Sequence, residues 1–237
     1  MEDTDDVALC LQIMCVALMV YRPLALEELE SFINNPFTEG ELLDNSSLEY
    51  YIGLCGSFLA IRDRTIYFIH QSAKDFFCNP SLNTDFRKAF PRAIGEFHHT
   101  LFSKSLQILS RTLQRNIYNL SHPGTAIEDC TPPSPDPMGP ALYSCVYWVD
   151  HLVDAQAGNL RKGVDGVQDG EEVHAFLSEK YLNWLEALSL ARAMPKGLHA
   201  VEKLNGLLQV CLWPSTPSTL QESTLTKASG SSRRITA

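Results

Sequence analysis

The stretch from Ser57 to Phe77, SFLAIRDRTIYFIHQSAKDFF, constrains the fold more than any other part of this chain. It reads as strand, turn, strand, helix. Phe58 and Ala60 on one arm, and Ile66, Phe68 and His70 on the other, recur at a spacing of two, which predicts a half-buried hairpin turned by Arg62, Asp63 and Arg64. Ser72 followed by Asp75 has the spacing of a capping box and predicts a helix from about Ser72. His70 then falls between a strand end and a helix start, where free N–H groups and the positive end of the helix dipole favour an anion. A lone histidine there serves equally well as a hydrogen-bonded structural residue, and the residues alone leave both roles open.

Upstream of the hairpin, Val7 to Val20 is almost wholly apolar. It is too short to span a bilayer, and its acidic leader EDTDD has the wrong sign for a secretory signal, so it predicts a helix buried on most sides. Leu26, Leu29 and Ile33 at helical spacing, with Glu27, Glu28 and Glu30 placed outside, predict a second helix over Leu24 to Asn34. Ser46 and Glu49 form another capping-box pair and open a third helix, which Gly56 terminates. Three helices, a two-stranded wing and a trailing helix predict a winged-helix domain over residues 1–84.

Charge argues against a winged helix that reads DNA. The formal net charge is −9, and residues 1–90 hold six Lys or Arg against fourteen Asp or Glu. The third helix carries Glu49 and no cation between Ser46 and Cys55, so it has little means of holding phosphate. Seven scattered cysteines, none in a C-x-x-C pair, suggest neither a disulfide framework nor a zinc site and read as reduced thiols of a cytoplasmic protein.

From Phe90 onward the period is helical, and residues 85–213 are expected to form an α-helical bundle. Phe90, Ile94, Phe97, Leu101 and Ile108 mark one face of a long helix running to about Asn116, with His98 and His99 beside that face and partly exposed. Prolines crowd residues 119–141, which must be a loop, either a flexible tether or an ordered strap laid over helices. Three further helices are read over LYSCVYWVDHLVDA, from Glu171 to Arg192, and from Leu198 to Cys211, with a glycine-rich loop at Gly158 to Gly170 and a break at Pro195 and Gly197. Trp184 is expected in the core. Asp150 and His151 are adjacent and face different ways on their helix, which argues against an acid–base dyad. Residues 214–237 are polar and without periodicity, and are expected to be a disordered tail. The chain has no G-x-x-x-x-G-K-[ST], G-x-G-x-x-G, H-E-x-x-H or G-x-S-x-G, and no complete catalytic constellation, so no enzyme activity is expected of it.

Three stretches, in this order, carry a family resemblance: YRPLALEELE; the hairpin with YFIHQSAKDFF; and YSCVYWVDHL followed by FLSEKYLNWLEALSL. Together they resemble the region that follows the nucleotide-binding domain in fungal NACHT-type signalling ATPases, the NOD-like receptor relatives of heterokaryon incompatibility and innate recognition. The resemblance implies a winged helix followed by a helical region, acting as a non-catalytic regulatory module. His70 is similar to the MHD-motif histidine, which implies a contact to the β-phosphate of ADP and a closed state held by it; the motif's aspartate position is Gln71 here. It also implies no cofactor for this chain alone, ADP or ATP only beside a NACHT domain in cis or in trans, and ankyrin or WD repeats as further partners, with no nucleic acid and no membrane. The Walker A loop of that family lies upstream of such a winged helix, so both ends of the chain are expected to be cut from something longer. A stand-alone protein-binding scaffold is the second expectation, and a DNA-binding regulator the third.

Overall fold

The computed structural model describes residues 2–33, 45–78, 94–122, 124–159 and 167–211. The expected tail at 214–237, the 84/85 boundary and Phe90 with Pro91 lie outside the described residues. In chain order the elements are α1 (Glu2–Met19), β1 (Leu24–Ala25), α2 (Leu26–Phe32), α3 (Asn45–Leu54), β2 (Leu59–Arg62), β3 (Thr65–Phe68) and α4 (Gln71–Cys78). Then follow α5 (Ile94–Thr112), a 3-10 turn (Gly139–Ala141), α6 (Leu142–Asn159), α7 (Val167–Leu190) and α8 (Met194–Cys211). The described part is mostly helical, with one small antiparallel sheet.

That sheet has three strands in the order β1-β3-β2, where the sequence predicted two. The added strand is Leu24–Ala25, read from sequence as the start of a helix; it pairs with Ile66 and Thr65 and leaves α2 to begin at Leu26. Register also corrects the hairpin. Arg62 pairs with Thr65, Ile61 with Ile66 and Leu59 with Phe68, so the turn is the two residues Asp63 and Arg64, both left-handed at φ 48° and 57°. Residues opposite each other share a face, and shortening the turn by one residue flips the whole first arm. Leu59 and Ile61 therefore join Ile66 and Phe68 on the inner face, while Phe58, expected inside, is 39% exposed.

Helix α1 buries Leu9, Ile13, Met14, Val16 and Leu18, as its apolar run requires, and forms one core with α2, α3 and the sheet. A second core gathers α5 to α8 around Trp148 and Trp184; Trp184 Nε1 donates to the Cys145 carbonyl at 2.8 Å, which satisfies its one polar atom. The two cores are not cleanly divided, because Leu101 of α5 and Tyr143 of α6 sit in the first. Among the described residues no helix is long and apolar enough to cross a membrane, and Cys10, Cys15, Cys55, Cys130 and Cys145 are free thiols.

In the second half one open sequence reading is settled and one changes. The proline-rich segment is a strap: Met138 is fully buried, Asp136 Oδ1 accepts from the Met138 N–H at 2.8 Å, and the Pro140 carbonyl accepts from Ser31 Oγ of α2 at 3.0 Å. Helix α8 begins at Met194, so Pro195 and Gly197 lie in its first turn, where a proline's missing N–H costs nothing. Gly197 is needed there, since a Cβ would stand 2.5 Å from Leu188 Cδ1 of α7.

Candidate functional site

His70 lies between β3 and α4, on the solvent side. Ile69 closes the hairpin by donating its N–H to the Phe58 carbonyl at 2.9 Å, and the His70 carbonyl accepts from Ala73 N–H at 3.0 Å. Helix α4 thus starts at Gln71, one residue before the predicted start, and His70 takes the capping position that the sequence assigned to Ser72. Asp75, expected to reach back as the second half of a capping box, instead accepts from Gln71 Nε2 at 3.5 Å. The imidazole is exposed.

Beside this junction a cleft of about 350 Å³ is lined by Val20, Arg22, Leu59, Phe68, Gln71 and Lys74, among others. Its two cations are already committed. Lys74 Nζ donates to the Val20 carbonyl at 3.1 Å, and Arg22 is paired with Glu28. Any anion that His70 meets would therefore need most of its donors from another domain.

The more heavily constructed arrangement is one the sequence did not predict, and it lies where the two cores meet. The segment linking α1 to β1 plugs into the α5–α6 pair through consecutive residues, Tyr21 and Arg22. Arg22 makes a two-pronged ion pair with Glu28 of α2, Nη1 to Oε2 at 2.7 Å and Nη2 to Oε1 at 2.5 Å, and stands over the Tyr143 ring at 5.4 Å. Glu28, placed outside by helical spacing, is 2% exposed, and its Oε2 also accepts the Ala25 N–H at 2.9 Å. Its burial is explained by these three hydrogen bonds, which replace those lost to water.

Tyr21 stands at both ends of a circuit of polar contacts. Its backbone N–H donates to Tyr143 Oη at 3.1 Å; Tyr143 Oη lies 2.8 Å from His151 Nε2; His151 Nδ1 lies 2.8 Å from His98 Nδ1. His98 Nε2 then faces Asp154 Oδ2 at 3.9 Å, and the Tyr21 hydroxyl donates to that same oxygen at 2.6 Å. One pair of neutral tautomers suits the whole circuit: Tyr143 O–H donates to His151 Nε2, and His151 Nδ1–H donates to His98 Nδ1. The Tyr21 ring lies across both imidazoles, its centroid 4.8 Å from that of His151 and 6.2 Å from that of His98. Burial lowers the proton affinity of both histidines, most strongly at His151, where the neighbouring His98 adds to the effect; Asp154 partly offsets it at His98. Burial, with Asp154 nearby, raises the Tyr21 hydroxyl far above its ordinary range.

These contacts revise the reading of the two histidines. His98, expected to be partly exposed, is 8% exposed and points into the α5–α6 interface. His151 does turn away from Asp150, which pairs with Lys203 of α8, and meets His98 and Tyr143 instead. A third tie joins the units where Lys104 of α5 donates to the Phe32 carbonyl at the end of α2; burial pushes its ammonium down to about 8. Among the described residues no cluster of three or more His, Cys, Asp or Glu is placed to hold a metal ion.

Fold and site together define a two-unit, mostly helical region, a hairpin-bearing unit locked to a helical bundle by buried polar contacts. In sequence the chain is 44% identical over 213 residues to the vegetative incompatibility protein HET-E-1 of Podospora anserina, a match that covers 86% of this chain. The chain is homologous to a segment of that fungal protein and spans 16% of its length. No protein-family model matches the chain, and no solved structure matches it.

Proposed function

We propose that the chain is the regulatory region that follows the nucleotide-binding domain in a fungal NACHT-type signalling protein, a winged helix and a helical bundle that hold the ADP-bound state closed and relay its opening. The observation that carries this reading is the 44% identity to HET-E-1 across most of the chain. Two features support it. The strand order β1-β3-β2 behind three helices is the arrangement a winged helix requires. The outer side of the hairpin also carries an apolar group in which Phe58, Ile69 and Phe76, each about 40% exposed, gather about the partly buried Phe77 ring, which suits burial against another domain.

In this mechanism the chain performs no catalysis. A NACHT domain, in cis or in trans, supplies the phosphate-binding loop and magnesium site; His70, at the exposed end of β3, reaches the β-phosphate of ADP, and opening passes through the Tyr21–Arg22 junction into α5 and α6 toward ankyrin or WD repeats. The site of action is the cytoplasm. The test is His70→Ala in a polypeptide that joins a NACHT domain of this family to residues 2–211. ADP retained through gel filtration, measured by chromatography of the denatured protein, should fall by at least about fivefold, since a charge-assisted contact contributes about 1.5–3 kcal/mol. Unchanged ADP content would remove His70 from the mechanism.

A further inference from the structure

We infer that the His98–His151 pair is a proton-sensitive latch: proton uptake by the pair in mildly acidic solution releases the Tyr21–Arg22 segment from the α5–α6 surface and so removes one of the ties between the hairpin unit and the bundle.

The fixed geometry of the pair limits how many protons it can hold. Two Nδ1 atoms 2.8 Å apart must share one proton, because two N–H groups cannot point at each other across that distance. The docked pair therefore holds at most three ring protons on four nitrogens, whereas two separated imidazolium rings hold four. A third proton is already unfavourable. If it enters on His98, the shared proton must turn to donate from His98 Nδ1 to His151 Nδ1, and His151 Nε2–H then donates to Tyr143 Oη. The Tyr143 oxygen then accepts from both the Tyr21 N–H and His151 Nε2–H, and its own buried hydroxyl hydrogen is left without an acceptor.

The surroundings do not remove this bias. From α6 the rings are faced by Asp154, about half exposed, with Tyr143, Tyr147 and Asp150 nearby, and Asp150 is engaged by Lys203 of α8. Lys196 of α8 is drawn to Tyr147. From the linking segment come the Tyr21 hydroxyl, which occupies Asp154, and Arg22, whose charge is matched by Glu28 of α2. Lys74 of α4 is spent on the Val20 carbonyl. Asp154 is thus the counter-ion that a charged His98 can reach, and it does so best when His98 swings outward. The Tyr21 ring covers that exit and must lift, taking its N–H and hydroxyl contacts with it.

The sign follows from linkage. Histidines held neutral when docked and free to charge when released give a docked state whose stability is complete above the ordinary histidine range, near pH 6.5, and is lost progressively as pH falls below it. The experiment is amide hydrogen exchange by NMR on the full chain at pH 7.5 and pH 5.0, with each rate expressed as a protection factor so that the intrinsic pH dependence of exchange cancels. The Leu113 N–H, bonded to the Leu109 carbonyl inside the bundle, is the internal reference. Protection of the Tyr21 amide should fall at least about tenfold relative to Leu113, the effect of one proton displaced by one pH unit. Nitrogen shifts of His98 and His151 should show both rings charging over the same interval. Constant Tyr21 protection, a fall matched by Leu113, or rings that charge while Tyr21 stays protected would each overturn the latch. His98→Gln removes one of the two facing rings and with it the shared-proton conflict, so the acid-induced fall should shrink to the part that burial of His151 alone supplies; an undiminished fall in that variant would also overturn it.

Discussion

Arg22→Met lowers the unfolding free energy by about 2–4 kcal/mol, somewhat below the 3–5 expected for orphaning one member of a fully buried pair because the guanidinium itself is 36% exposed. The cost comes from Glu28. With 2% exposure it keeps the Ala25 N–H but loses both arms of the ion pair, and it is too buried for water to replace them. Methionine fills most of the volume, so packing over Tyr143 changes little. The double variant Arg22→Met/Glu28→Gln removes the orphaned charge and should recover at least about 1 kcal/mol, the direction expected when a buried pair is replaced as a pair. Urea denaturation at constant m-value measures both, and a single variant as stable as the parent would mean that Glu28 is not held as described.

The second large effect belongs to Tyr143→Phe. The ring, its edge contact with Phe32 and its stacking on Tyr147 remain, but the one hydroxyl that serves both the Tyr21 N–H and His151 Nε2 is lost. Two buried groups are orphaned at about 1–3 kcal/mol each, so a loss of about 2–4 kcal/mol is expected, with relaxation of the linking segment toward water trimming the upper end. Protection of the Tyr21 amide should fall more than that of the bundle. A variant within about 0.5 kcal/mol of the parent would show that water replaces the hydroxyl on both sides.

What the residues disclosed follows the range of the interactions that decide each feature. The apolar run of α1, the paired strands and Trp184 in a core were legible because burial of local patterns is a local signal. The face of β2 was not, because it depends on whether the turn takes two residues or three, and Asp63 and Arg64 carry no glycine to announce a left-handed pair. Glu28 was placed outside by a sound helical argument that could not see Arg22 returning from the preceding loop. His98 and His151 stand far apart in the sequence and meet only when α5 packs on α6, so His98 was read as partly exposed and His151 only as turned away from Asp150. A signal did exist: His151 lies within the apolar run of this helix between Val149 and Leu152, and a buried polar side chain in that setting needs a partner. His70 was the reverse case, where local pattern placed the residue correctly at the strand-to-helix junction, while the phosphate contact proposed for it would need a nucleotide-binding domain.

The most direct test of the account is a replacement. Residues 2–211 would be substituted for the matching segment of HET-E-1, and the chimera, with and without His70→Ala, scored for the vegetative incompatibility reaction in Podospora anserina at equal protein levels. The account predicts that the chimera keeps the regulated reaction and that the His70 variant reacts without its trigger, because the closed state has lost a phosphate contact. A chimera that is expressed and folded yet inert, or a His70 variant regulated like its parent, would contradict it.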